Sequence, residues 1–204
     1  MPFGAAAFLV GISFGVVARP VMGPAAAIAM SVFVFAGAAQ FGATAVLASG
    51  GGALTAIATG VMLNARFLPM GVAIAGVLTG GRRARALQGQ AVVDASWAAA
   101  HLGGGRFDRN ILIGATVPQY PAWVLGTAVG VVAGNLIGDP KAFGLDAVFP
   151  AFFLGLLASE ATSSGRARAA GLLGAAIALA LTPLLPAGLP ILAASAAALI
   201  GLRR

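Results

Sequence analysis

From Ala53 to Thr79 the chain runs through an apolar stretch long enough to cross a lipid bilayer, and near its middle stand Asn64 and the stretch's single charge, Arg66. A spanning helix needs about 20 apolar residues, and an arginine at mid-depth costs roughly 2.5 kcal/mol or more on insertion scales. Such a charge has to face protein, water or a substrate. Gln40 in the preceding stretch and Pro118-Gln119-Tyr120-Pro121 in a later one add polar groups that outline a site inside a membrane protein. That arrangement is the signature of a transporter.

Composition agrees. Of the 204 residues 60% are hydrophobic and 8% charged, which excludes an ordinary water-soluble domain. The apolar residues are mostly Ala, Leu and Val, with 30 glycines, a mixture suited to close packing of helices in lipid. One polytopic all-α integral membrane domain over 1–204 is expected. The net charge of +7 is not a nucleic-acid footprint, because the arginines lie in gaps between apolar stretches without interleaved aromatics. The chain has no cysteine and one histidine, which excludes disulfides and thiolate metal sites and leaves little for imidazole coordination. No cofactor is expected.

Seven apolar stretches lie at 3–18, 24–49, 53–79, 110–137, 144–159, 169–185 and 187–202, the last two separated by a turn at Pro186 to Gly188. They predict about seven transmembrane helices. The first lacks a basic n-region and is followed at once by more apolar sequence, so it reads as a membrane helix and not a cleaved signal. The second, third and fourth are long enough to be tilted or broken, with natural break points at Gly37 with Gln40, Asn64 to Pro69, and Pro118 to Pro121.

The arginines set an orientation. With Gly80 to Asn110 in the cytoplasm, alternation places Arg19, Arg166, Arg168, Arg203 and Arg204 on that side too, and Asp139, Lys141 and Asp146 outside. The expectation is therefore an N-out, C-in protein. The run Ala91 to Gly103 carries Asp94 and His101 and reads as an interfacial helix. Helices one to three and four to six would then have opposite orientation, the 3+3 inverted repeat of transporters whose sites use broken helices near the midplane.

Four further patterns carry competing readings. Gly126, Gly130, Gly134 and Gly138 recur every four residues, as do Gly11 and Gly15, which lets helix backbones approach closely; the partner is internal or a second subunit. Gly11-Ile12-Ser13-Phe14-Gly15 matches the G-x-S-x-G elbow of serine hydrolases, yet it lies in a membrane helix with no preceding strand. An enzyme is not expected. Asp94 and His101, seven residues apart, would share a helix face and so form either a proton relay or an ordinary interfacial pair. Glu160 reads as an interfacial ion pair with the arginines of the following loop.

Arg66, Asn64 and Gln40 form the strongest constellation. A guanidinium holds a carboxylate through paired hydrogen bonds, and half-helix N-termini at Gly37 or Pro69 would add donors. Amide oxygens of Gln40, Asn64 or Gln119 suit an ammonium. These are parts for a zwitterionic amino acid, with Phe35, Phe41 and Met62 as an apolar pocket and Gln119 and Tyr120 completing the site. The alternative is that Arg66 braces helix carbonyls.

The run Met30 to Phe41, with Gly37-Ala38-Ala39-Gln40-Phe41, followed by Leu63-Asn64-Ala65-Arg66-Phe67-Leu68-Pro69, resembles the AzlC family of branched-chain amino-acid exporters. The similarity continues through Gly105 to Arg109, Pro118-Gln119-Tyr120 and Gly144 to Pro150. It implies a permease of the bacterial cytoplasmic membrane that exports valine, leucine or isoleucine, with a small AzlD-type membrane partner and coupling to the proton gradient. It carries over Ser31, Gln40, Asn64 and Arg66 as pathway positions. Two departures stand out: Phe67 where many members have His, and Asp94-Ala95 where many have an Asp-Glu pair. The competing class is a non-transporting membrane scaffold or partner subunit.

Overall fold

The structure, a computed structural model, describes residues 2–137, 144, 147–162, 165–185, 189–194, 196 and 197. Eleven helices form among them: α1 (Pro2–Met22), α2 (Pro24–Phe33), α3 (Gly37–Ala48), α4 (Ala53–Asn64), α5 (Phe67–Ile74), α6 (Arg82–Gly89), α7 (Asp94–Ala100), α8 (Arg109–Ile137), α9 (Val148–Ala161), α10 (Gly165–Leu181) and α11 (Leu189–Ala194). The described residues contain no strand, only one isolated bridge between His101 and Phe107. Among the described residues two stretches are long and apolar enough to cross a bilayer, Phe3–Met22 and Ala53–Ile74.

The core of the fold is the pairing of α1 with α8. Gly4 lies against Pro118, Gly11 against Trp123, Gly126 and Thr127, Gly15 against Thr127 and Val131, and Gly134 against Val16 and Arg19. Residue numbers rise together, so the two helices run parallel. A Cβ on Gly11 would stand 2.5 Å from the Trp123 carbonyl oxygen, and one on Gly126 or Gly130 would collide with the α1 backbone at Phe8 or Ile12. The glycine stripes therefore face each other within one chain, as small residues do where helix backbones touch.

This pairing overturns part of the expected topology. An inverted 3+3 repeat requires the first and fourth long helices to run in opposite directions, and glycine register makes them parallel. The Pro2 end of α1 consequently lies at the same end of the molecule as Arg109 and the arginine-bearing segment, which corrects the N-out assignment. Arg19 belongs to α1 and lies at the far end, where its NH1 donates to the carbonyl oxygen of Val131. It is no loop arginine. Asp139, Lys141, Asp146, Arg203, Arg204, the Pro186 to Gly188 turn and the Glu160 side chain lie outside the described residues.

The stretch 24–49 is a helical hairpin and not one broken span. Gly23 adopts φ 81°, and Pro24, with no N–H to offer α1, starts a new helix. Along α2, Ser31 meets Thr127 and Val32 meets Tyr120 of α8, so α2 runs back along α8. The chain turns at Val34 to Ala36, with Phe35 at φ 41°, and α3 returns past α1, where Phe41 packs edge-on to Phe14 at 5.4 Å. Then α4 runs antiparallel to α3, with Thr59 and Leu63 against Gly42 and Gly60 against Ala39.

The third stretch breaks where proline demands it. Pro69 lacks the N–H that would bond the Ala65 carbonyl, and its ring crowds that carbonyl. Leu68 instead donates to Ala65 at 3.1 Å and α5 begins at Phe67, with Pro69 in its first turn. Beyond it, Ile74 packs in a second core with Val92, Ala100 and Leu112. No break occurs at Pro118 to Pro121: α8 is continuous over 29 residues. Gln119 Nε2 donates to the Ala115 carbonyl at 2.9 Å within this stretch, and α1 packs alongside, with Gly4 against Pro118. The last three stretches correspond to α9, α10 and α11.

Candidate functional site

Arg66 stands at the α4–α5 break with its guanidinium fully engaged. Nε and NH2 donate in parallel to Oδ1 and Oδ2 of Asp94, each at 2.8 Å, and NH1 donates to the Leu63 carbonyl at 2.8 Å. The guanidinium carbon lies 4.8 Å from the centroid of the Phe67 ring. About a fifth of each side chain is exposed, 19% for Arg66 and 20% for Asp94. The pair is charge-assisted and bidentate, the geometry in which an arginine grips a carboxylate best.

Asp94 reaches Arg66 because α7 is wedged into the protein. Ser96 Oγ donates to the Ala91 carbonyl at 2.6 Å, Trp97 Nε1 donates to the Met70 carbonyl at 3.2 Å, and Ala95, Ser96 and Ala100 are buried. At seven residues α7 is about 10 Å long and does not span. It ends at Ala100, and His101 leaves the helix in an extended conformation. Its ring lies 5.8 Å from that of Trp97. Of the two readings open for these residues, the relay is not assembled: Asp94 pairs with Arg66 and His101 stacks on Trp97.

Two cavities lie near the pair; Asp94 lines the smaller one and Arg66 lines neither. A small one of about 60 Å³ is lined by Asp94, Gln119, Trp123, Ala7, Gly37 and their neighbours. A larger groove of about 1070 Å³ is lined by Asn64, Thr116, Tyr120 and the backbone from Gln88 to Val93, at the end of the molecule that carries the arginine segment. Phe35, Ala36, Phe67 and Val93 belong to both walls and separate the two spaces. Phe35 is held there edge-on to Tyr120 at 5.1 Å and Trp123 at 6.4 Å.

The expected site residues divide into two groups. Asn64, Gln119 and Tyr120 line the cavities beside the Arg66 pair. Ser31 and Gln40 are wholly buried and line neither space. Gln40 Nε2 donates to Ser31 Oγ at 3.0 Å, Ser31 Oγ meets Thr127 Oγ1 at 2.8 Å, and Thr127 donates to the Trp123 carbonyl at 2.9 Å. Because the Thr127 hydrogen goes to that carbonyl, Ser31 donates to Thr127. Gln40 Oε1 accepts the Ala36 N–H at 3.3 Å, so this relay ties the hairpin turn to α8. Of the expected apolar pocket, Phe35 is in place, Phe41 packs on Phe14, and Met62 lines neither cavity.

Two buried polar atoms near the cavities have no partner among the described residues: Asn64 Oδ1, an acceptor, and Trp123 Nε1, a donor. Buried polar groups are rarely left so. Sequence reading did not join Asp94, Trp123 or Thr127 to the site. The signal for Asp94 was there, a carboxylate in an apolar run. Gly11 to Gly15 lie within continuous α1 with Ser13 fully buried, which removes the strand-to-helix elbow a serine nucleophile needs. No metal-binding cluster of His, Cys, Asp or Glu exists among the described residues.

An ion pair in a helix break, beside cavities walled by apolar side chains, is the makings of a solute-binding site in an all-helical protein. The chain belongs to the AzlC family: the family model described as "AzlC protein" matches residues 2–137. No curated protein and no solved structure matches it.

Proposed function

We propose that the protein is a multi-pass permease of the bacterial cytoplasmic membrane that exports branched-chain amino acids, such as valine, leucine or isoleucine. It acts without catalysis, with a small AzlD-type membrane partner and in exchange for protons. The observation that carries this reading is the Arg66–Asp94 pair, set in a break of the apolar stretch Ala53–Ile74, with Asp94 lining a small cavity beside a larger groove. Family membership supports the transport class.

Two features support a lipid surrounding. Leu54, Ile57, Val61, Leu68 and Val72 are all exposed along α4 and α5, at up to 81% for Leu54. Water-soluble monomers rarely expose an apolar face so long. The irregular backbone at Phe35 opens to a cavity and the helix break at Arg66, whose dihedrals stay helical, is mostly covered by protein, as a bilayer requires. Positive charge at the Arg82 to Arg109 end marks that end as cytoplasmic, so the groove of about 1070 Å³ faces the cytoplasm. The 60 Å³ cavity is well below the roughly 300–1,000 Å³ of ligand pockets. We read this conformation as open inward with the inner site closed down.

Counterflow of labelled valine or leucine into proteoliposomes, with and without an AzlD-type partner, tests the proposal. Uptake that disappears in folded Arg66→Ala supports it. Absence of uptake by the wild type in the partner's presence turns it down in favour of the scaffold alternative.

A further inference from the structure

We propose that the substrate opens the Arg66–Asp94 pair and inserts between its halves, the carboxylate of a zwitterionic α-amino acid taking Nε and NH2 of Arg66 and its ammonium taking Asp94. Asp94 is then a specificity-determining residue, the one that distinguishes an amino acid from the corresponding acid or amine. This rests on the permease reading above.

Geometry supplies the first argument. Asp94 bonds Arg66 through two 2.8 Å contacts, so a carboxylate already occupies the position where a substrate carboxylate would bind. NH1 is fixed independently on the Leu63 carbonyl. The guanidinium therefore keeps an anchor when its other two donors change partner.

Charge supplies the second. An anion that displaced Asp94 would leave that carboxylate stranded in a partly desolvated site, and a cation that displaced Arg66 would strand the guanidinium. Unpaired charges in such surroundings are costly. A zwitterion alone leaves every charge with a counter-charge and the site neutral.

The unpartnered atoms supply the third, and they are independent of the pair. Among the described residues Asn64 Oδ1, on the groove side, is an acceptor lacking a donor and Trp123 Nε1, on the small cavity, a donor lacking an acceptor. Trp123 is 7% exposed and shares the small cavity with Asp94. An ammonium offers what Asn64 lacks, and a carboxylate offers what Trp123 lacks. The cavity has room for neither the groups nor an aliphatic side chain as it stands, so insertion displaces the Phe35 and Phe67 side chains that part it from the groove.

The test uses the purified full chain in detergent, with thermal stabilisation titrated by three probes: leucine, 4-methylpentanoate, which lacks the ammonium, and isoamylamine, which lacks the carboxylate. Wild type is expected to respond to leucine and to neither fragment. In Asp94→Asn the apparent affinity for leucine falls by about tenfold or more, the value of a hydrogen bond to a charged group, while a response to 4-methylpentanoate appears. Asp94→Glu keeps the wild-type selectivity. A purely bracing aspartate would lower stability without creating binding of the acid, so Asp94→Asn that ignores 4-methylpentanoate, or holds leucine unchanged, overturns the proposal. Should Asp94→Asn fail to fold, wild type that binds either fragment as tightly as leucine overturns it instead. A wild type that answers to no aliphatic amino acid, alone or with its partner, refutes the permease reading itself.

Discussion

Arg66 and Asp94, 28 residues apart in the chain, meet through two parallel hydrogen bonds of 2.8 Å that tie the α4–α5 break to the first residue of α7. Removing one partner leaves the other charge without compensation, whereas removing both does not. Arg66→Ala and Asp94→Ala are each expected to destabilise the protein by about 1–3 kcal/mol, with the partial exposure of the pair keeping the cost in that range. The double variant should be more stable than either single one. Thermal unfolding of the three variants in detergent gives the comparison, and a double variant worse than both would show that the pair is not the relevant unit.

The contact of α1 with α8 leaves no room for one methyl group. A Cβ on Gly130 would run into the Ile12 carbonyl, with the Ile12 carbonyl carbon at 2.9 Å, and backbone cannot step aside as a side chain does. Gly130→Ala is expected to cost about 1–3 kcal/mol as an overpacked substitution. Gly114, one face away on the same helix, has nothing within 4 Å of its Cβ position. Gly114→Ala should be neutral or stabilising by up to about 1 kcal/mol through helix propensity. Equal effects of the two substitutions in chemical unfolding would contradict the tight interface.

At position 35 the usual ranking of small residues should invert. Phe35 has φ 41°, in the left-handed region where an L side chain is strained. Truncation removes the ring contacts with Tyr120 and Trp123 in either variant. Only glycine also relieves the backbone. Phe35→Gly is therefore expected to be about 1 kcal/mol more stable than Phe35→Ala, measured by parallel melting curves.

The relay from Gln40 through Ser31 to Thr127 predicts a different kind of loss. Gln40→Leu would leave the Ala36 N–H unanswered and strip a donor from Ser31 inside a buried network, costing about 1–3 kcal/mol. Because these groups are wholly buried and bonded to one another, unlike the partly exposed Arg66, the concentration of leucine giving half-maximal counterflow should stay within about threefold of wild type while the folded yield falls. A large shift in that concentration at unchanged stability would return Gln40 to the binding residues.

Much of this was legible in the residues. A lone arginine in an apolar stretch singles itself out, and Pro69 marks the break beside it, because a missing N–H acts within one turn of chain. The glycine stripes announced a close contact. What they did not carry was direction: spacing of four reads the same whether the partner runs parallel or antiparallel, so the alternation of spans was extrapolated and the inverted triplets followed from it. Pro118 and Pro121 failed as break points for the complementary reason. They remove local bonds, and the neighbouring α1 holds the helix straight through them. Asp94 was not joined to Arg66 because its partner lies in another helix, and a carboxylate in a mildly apolar run has the same local sequence either way.

The α2–α3 hairpin returns toward the end from which it started, and this changes the parity of the whole N-terminal half. Counting hydrophobic peaks scores it as one passage, and every side assigned before it is then reversed relative to every side assigned after it. A reporter fused after Met22 and another fused after Gly51 should report the same compartment, and the start of the chain should share the compartment of the arginine cluster. For any chain built this way, a sidedness map drawn from hydropathy alone carries one sign error, located at residues 34–36.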